Sequence, residues 1–368
     1  MSTSSMKEQL QFVFVHGFQG WGSYDKRNQK MPYWGMRGGD LMAWLQEKGY
    51  HAYAASVSPD GSTWDRACEL YAQLTGTKVD YGALHSKENS HERYGRDFTG
   101  QPLIPSFDEN TKLVLIGHSF GGATANLFAE LMAHGDAREQ GVTAAEDLSP
   151  LFCGGMGERV RCLAALAAGQ NGNSSYEIPD GYQLSGDAKL PWWSKLAAAR
   201  FAKATQRKAG STRNPRDCAE YDMHIDAARA LNQRISILPH VLYLSVPCSY
   251  TQKNAAGHYV PEKDMMPFFL VNSAKMGQFS GTTEGGCTVD EQWWENDGRV
   301  NTISETAPFG APQVPLDREN LQAGVWNVFP TYHGDHMSLQ GGLIKQNDIR
   351  GFYEDLLTLV TSFEESRA

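Results

Sequence analysis

Residues 116–122 read I-G-H-S-F-G-G, between an apolar run at 113–116 and a helix-forming stretch at 123–132. No other feature constrains the fold as tightly. A serine between glycines at a strand-to-helix junction marks a corner too tight for large flanking side chains. The corner lifts the Ser119 hydroxyl clear of the strand ends. It also aims the N-terminus of the next helix at developing negative charge. The pentapeptide 117–121 recurs by chance, and the strand before it and helix after it give it meaning. It predicts Ser119 as a nucleophile, against the alternative of a glycine-rich turn closing a βα unit.

The rest of the chain suits that corner. Strand-like runs at 11–15, 51–57, 112–116, 159–168 and 240–246 share the chain with helical patterns at 39–48 and 347–363. Strands alternating with helices predict an α/β fold with a mostly parallel central sheet. With 368 residues, 41% of them apolar, one large core over 1–368 is expected. Two stretches break the rhythm, 62–100 and 170–216, the second around a helical pattern at 190–208. Both read as insertions. A net charge of −9 offers no basic footprint for nucleic acid. Mean hydropathy is −0.46, and no apolar run approaches bilayer length. Residues 1–8 lack the apolar segment of a secretory leader, so a cytoplasmic protein is expected, or a secreted one whose leader has been removed. Six scattered cysteines with no C-x-x-C pair read as structural thiols. Oligomeric state is not legible.

A neutral serine needs a base, and the base needs an orienting acid. In a fold with this corner the chain order is serine, acid, histidine. Seven histidines are candidates: His118, His134, His224, His240, His258, His333 and His336. His118 sits on the corner and cannot easily curl back. His333 and His336 lie in a polar loop before the last helix, and His336 is the choice. For the acid, Asp297 followed by Gly298 makes a tight turn that leaves its carboxylate presented to a partner. Asp335 is the rival, but it adjoins His336 and so points elsewhere. An oxyanion hole needs two backbone N–H groups. Phe120, next to the serine, should supply one. Phe18, in the glycine-bearing loop 16–21, should supply the other, unless Phe18 and Trp21 are plain core aromatics.

Several longer motifs carry a family resemblance: HGFQGWG at 16–22, WDRACE at 64–69, VDYG at 79–82, GHSFGG at 117–122, WWENDGRVNT at 293–302 and GDHMSL at 334–339. In this order they resemble the zinc-containing lipases of thermophilic bacilli and their staphylococcal relatives. The similarity runs from about residue 12 to 352, broken between 170 and 216. It implies an α/β-hydrolase fold, carboxylic ester hydrolysis, a triad of Ser119, Asp297 and His336, and oxyanion donors at Phe18 and Phe120. It also implies a structural zinc held by Asp65, His85, His91 and Asp222. Two imidazoles and two carboxylates suit a closed tetrahedral site. The family's calcium site draws on acidic side chains just after the histidine. Here 337–343 carries no carboxylate, which argues against calcium. The stretch matching the family's lid is shorter and more polar, implying a reduced lid and a cleft open to short soluble or bulky polymeric esters. An amidase or acyltransferase with the same triad, and a non-catalytic zinc-stabilised binding module, stand as alternatives.

Overall fold

The computed structural model describes residues 6–186, 190–205, 214–344 and 346–368. Seven strands form the central sheet: β1 (Leu10–Val15), β2 (His51–Ala55), β3 (Lys112–His118), β4 (Val160–Leu166), β5 (Leu242–Val246), β6 (Gln313–Pro315) and β7 (Trp326–Val328). Their order is β6-β7-β5-β4-β3-β1-β2, and every neighbouring pair is parallel. A parallel sheet needs cover on both faces, which explains why its strands are almost continuously apolar. Side chains alternate between two cores. Val13, Val15, Leu113, Leu115 and Leu163 face one way, onto α2 (Thr63–Thr75) and α4 (Phe120–His134). Phe12, Phe14, Val114, Ile116 and Cys162 face the other, onto α1 (Leu41–Glu47) and α7 (Arg350–Glu365).

Local signals set the helix ends. Asp40 caps α1 by accepting from Met42 N and Ala43 N, a contact worth about 1 kcal/mol. Ser62 accepts from Asp65 N at the start of α2, and Gly76, at φ +65°, stops it. The stretch 62–100 therefore divides. Its first part is a core helix filling the crossover from β2 to β3, with Ala67, Leu70 and Leu74 buried. Only its second part stands outside the sheet layers: α3 (Ala83–Asn89) and a small ribbon pairing Lys78–Asp80 with Tyr94–Asp97. In 170–216 the described residues include α5 (Ser194–Thr205); the predicted helix end at 206–208 lies outside the described residues. All six cysteines are unpaired thiols. Among the described residues no helix is long and apolar enough to cross a membrane.

Candidate active site

Ser119 lies between the last residue of β3 and the first of α4, at φ 54° and ψ −130°. A positive φ at a non-glycine is strained backbone, held here by its surroundings. A Cβ on Gly117 would meet Gly121 O at 2.4 Å, and one on Gly121 would meet Val15 O at 2.1 Å. Only glycine fits on either flank. Ser119 N donates to Leu166 O on the adjacent strand, which pins the corner.

The predicted partners converge on this hydroxyl. His336 Nε2 lies 2.8 Å from Ser119 Oγ, and His336 Nδ1 lies 2.5 Å from Asp297 Oδ2. Asp297 itself is tied down: Oδ1 accepts from Arg299 N and Val300 N, both at 2.8 Å. His336 N donates to Asp297 O, so the two loops are also joined by main chain. Gly298, at φ +99°, makes the turn and presses against Phe269. The rival Asp335 turns away, accepting from Met266 N at 2.9 Å and Met337 N at 3.0 Å. His333 is largely exposed. His118 joins the site by a different route: its Nε2 hydrogen-bonds His336 O at 2.9 Å, and its Nδ1 meets Tyr33 Oη at 2.8 Å. Burial, and then the neighbouring His336, push the His118 pKa well down, so this imidazole is a neutral brace.

The loop after β1 comes close to the corner. A Cβ on Gly17 would lie 2.7 Å from Ser119 Cβ, so glycine permits the approach. Gly17 N donates to Tyr33 Oη, and Gln19 N to Pro59 O. Between them, Phe18 N–H makes no hydrogen bond among the described residues. Phe120 opens α4, so its N–H has no intrahelical acceptor. Among the described residues, these two amides beside the Ser119 corner thus have no acceptor, and donors of that kind are what an oxyanion requires. Arg66 secures this loop from beneath. It is fully buried, donates to the carbonyls of His16, Gly17 and Ser58 and to Thr124 Oγ1, and lies under the Phe120 ring. Burial lowers its pKa to about 10, which leaves it charged at neutral pH.

Above Ser119 and His336 is a cavity of about 300 Å³, walled by Phe18, Trp21, Phe268, Phe269 and Met337, with Arg27 and Arg299 also on its lining. Phe201 of α5 closes part of it, stacked on Phe268 with ring centroids 4.6 Å apart. A larger cavity of about 630 Å³, between 225–237 and 308–312, contains neither Ser119 nor His336.

The predicted metal ligands part company. Asp65, His85 and His91 gather with Asp217, their ligand atoms all within 4.8 Å of one another. His85 Nε2 lies 3.2 Å from Asp65 Oδ1 and 3.5 Å from Asp217 Oδ1, and His91 Nε2 lies 3.4 Å from Asp217 Oδ2. A tetrahedral zinc with bonds of about 2.0–2.2 Å spaces its ligands by roughly 3.3–3.6 Å, so the set fits. Among the described residues His91 Nε2 is buried without a hydrogen-bond partner, an orphaned atom that a metal would satisfy. Burial alone would lower the His85 pKa; hydrogen bonds to Asp217 and Asp65 outweigh it and raise it to about 9. Asp222 is a correction. It sits at the end of α6 (Ala219–Asp222), and its Oδ2 accepts from Thr63 N at 2.6 Å, so it caps α2 instead of joining the cluster. Asp217 gave no signal in the sequence, because it and Asp222 are acids five positions apart on one segment.

A strand-to-helix serine at the carboxyl end of an interior strand of a parallel sheet, joined through histidine to an acid, defines an α/β-hydrolase fold of the lipase kind. Comparison with known proteins places the chain within that class. A family model described as "Lipase-like, C-terminal domain" matches residues 8–181 and 200–363, and the chain belongs to this family. It is 30% identical over 352 residues to a lipase of Staphylococcus epidermidis, covering 89% of this chain. It spans about half the length of that relative, 49%. Among solved structures it is similar to EstA from Clostridium botulinum, with TM-score 0.82, 27% identity and coverage of 96% of this chain and 87% of that one. The Staphylococcus hyicus lipase gives TM-score 0.80, 26% identity and coverage of 98% and 97%.

Proposed function

We propose that this chain is a serine carboxylic ester hydrolase. The observation that carries the reading is the unbroken line Ser119 Oγ–His336 Nε2, His336 Nδ1–Asp297 Oδ2 beneath an apolar cavity. Ser119 Oγ attacks the ester carbonyl carbon as its proton passes to His336 Nε2. The carbonyl oxygen becomes an oxyanion and takes hydrogen bonds from Phe18 N–H and Phe120 N–H. His336 then protonates the leaving alkoxide as the C–O bond breaks, leaving an acyl-Ser119. Water, deprotonated by His336, releases the acid and restores the serine. Asp297 stays ionised throughout and stabilises the imidazolium.

A cavity of about 300 Å³ is at the small end for ligand pockets and favours a short acyl or aryl group over a long chain. Chain ends of a polyester belong to the same class. Asp65, His85, His91 and Asp217 are the residues that would hold a zinc ion. When bound, the ion serves as a cross-link between α3 and the segment before α6. Four protein ligands would leave such an ion no open position for chemistry.

Ser119→Ala should cut p-nitrophenyl ester turnover by about 10⁴-fold or more with the fold intact. Asp297→Asn should cost about 10⁴ in kcat, and Asp335→Asn far less. Near-normal turnover in the serine variant, or failure of a fluorophosphonate to label Ser119, would overturn the reading. A substrate series from short esters through suspended triglyceride to an aromatic polyester film would define the class.

A further inference from the structure

Glu305 has no part in the chemistry above, yet it lies against it. It ends a short helical turn, Thr302–Glu305, and is fully buried. One of its oxygens, one of Asp297's and a ring nitrogen of His336 all lie within 4.8 Å of each other. Glu305 Oε2 accepts from Cys248 N at 2.5 Å. Thr302 Oγ1 donates to Cys248 O at 2.8 Å, so both ends of the turn are fastened to Cys248. Oε1 is buried with no hydrogen-bond partner among the described residues. No lysine or arginine pairs with Glu305 among the described residues.

Two carboxylates this close in a dry region cannot both be ionised. The surroundings decide which one keeps the charge. Asp297 has two backbone N–H donors and an imidazole, all of which favour its anion. Glu305 has one amide; its neighbours Asp297, Glu295 and the buried Cys248 thiol are not cationic, and the nearby His336 imidazole is already engaged by Asp297 Oδ2. Burial, reinforced by Asp297, accordingly pushes the Glu305 pKa well up. A neutral carboxyl has one acceptor oxygen and one O–H donor. The acceptor matches Cys248 N. The donor, on the orphaned Oε1, needs an acceptor, and the Asp297 carboxylate is the one within reach.

We propose that Glu305 is a positioning residue of the Ser119–His336–Asp297 line: uncharged between the Cys248 amide and Asp297, it donates a hydrogen bond to the Asp297 carboxylate and holds that carboxylate toward His336. This rests on the ester-hydrolase reading for its effect on rate, but the protonation state of Glu305 is testable without turnover.

The test compares Glu305→Gln with Glu305→Met in the full chain. Glutamine reproduces the neutral acid, with its carbonyl for Cys248 N and its amide N–H for Asp297. It should keep kcat within about threefold, and the acid limb of the pH profile, set by His336, should not move. Methionine removes the donor and should lower kcat by about tenfold to a hundredfold with KM unchanged. In the infrared, wild-type protein at pH 7 should show a protonated-carboxyl C=O stretch that Glu305→Gln lacks. If Glu305 is instead ionised, Glu305→Gln removes a negative charge beside His336. The acid limb then moves down by a unit or more and the infrared band is missing from wild type. Either result overturns the proposal, as does a glutamine variant that loses as much kcat as methionine, or a methionine variant with wild-type kcat. Should methionine fail to fold, the acid limb and the infrared band still decide. Absence of any turnover in wild type would count against the ester-hydrolase reading alone.

Discussion

At the scale of single residues, the site depends on polar groups placed where water cannot reach them. Arg66 is the clearest case. Its guanidinium collects the carbonyls of His16, Gly17 and Ser58, so it shapes the loop that presents Phe18 N–H. Arg66→Met keeps the volume of the stem but leaves those carbonyls buried and unpaired, at about 1–3 kcal/mol each. The expected result is a loss of about 3 kcal/mol or more in urea unfolding, with kcat falling about 10²-fold as one oxyanion donor drifts. Arg66→Lys should recover part of the stability and little of the kcat, since an ammonium cannot span four acceptors in a plane. Wild-type kcat in the methionine variant would show that the loop holds itself. Neither Arg66 nor Glu305 was legible in the sequence. Both are charged residues in ordinary-looking helical or turn segments, and only tertiary burial gives them meaning. Ser119 and Asp297 could be picked out because each sits at a glycine-bearing corner, which leaves a mark in sequence, and His336 because it lies in a polar loop before the last helix.

At the scale of elements, what could be read followed burial on two faces. β1, β3, β4 and β5 are apolar nearly throughout, and all were anticipated within a few residues. The short strands β6 and β7, at one side of the sheet, were not. Each has three residues, too short to show a period, and they are defined by pairing with β5 and with each other. Helix α2 was hidden by its charges: Asp65, Arg66 and Glu69 sit among its apolar positions, and the first two are buried by specific partners. Helix α5 raises a functional question. It keeps Trp192 just before it 86% exposed and Leu196 51% exposed, while Phe201 points inward onto Phe268 and Phe269. Phe201 thus limits the depth of the cavity from the α5 side. Phe201→Ala removes aromatic packing worth about 0.5–1.5 kcal/mol, so KM for a short aryl ester should rise up to about tenfold. Bulky esters should lose less or gain, because the same change widens the cleft. Equal losses for small and bulky substrates would mean that Phe201 does not shape the cavity.

At the scale of the whole molecule, the four-residue cluster joins parts of the chain that the sheet does not. Asp65 comes from α2, which packs on the sheet; His85 and His91 come from α3 and the turn after it; Asp217 precedes α6. Asn214 N donates to Asn89 O across the same seam, and Ala219 N to Asp60 O. Met223, just beyond α6, lines the cavity over Ser119. A metal between these segments would therefore steady one cavity wall as well as the outer loops. Two aspartates on that segment have separable duties, which makes the idea testable. Asp217→Asn removes a carboxylate from the cluster and should drop bound zinc well below one equivalent, with a lower Tm that added chelator no longer changes. Asp222→Asn leaves the cluster whole. It weakens one hydrogen bond at the start of α2, so it should keep its zinc and lose about 1 kcal/mol. Chelation of the wild-type protein should lower Tm and raise KM, through the Met223 wall, more than it lowers kcat. The measurements are metal content per chain and thermal melts with and without chelator. Zinc retained by Asp217→Asn and lost by Asp222→Asn would return the fourth ligand to Asp222. A melt of wild-type protein indifferent to chelator would remove the brace altogether.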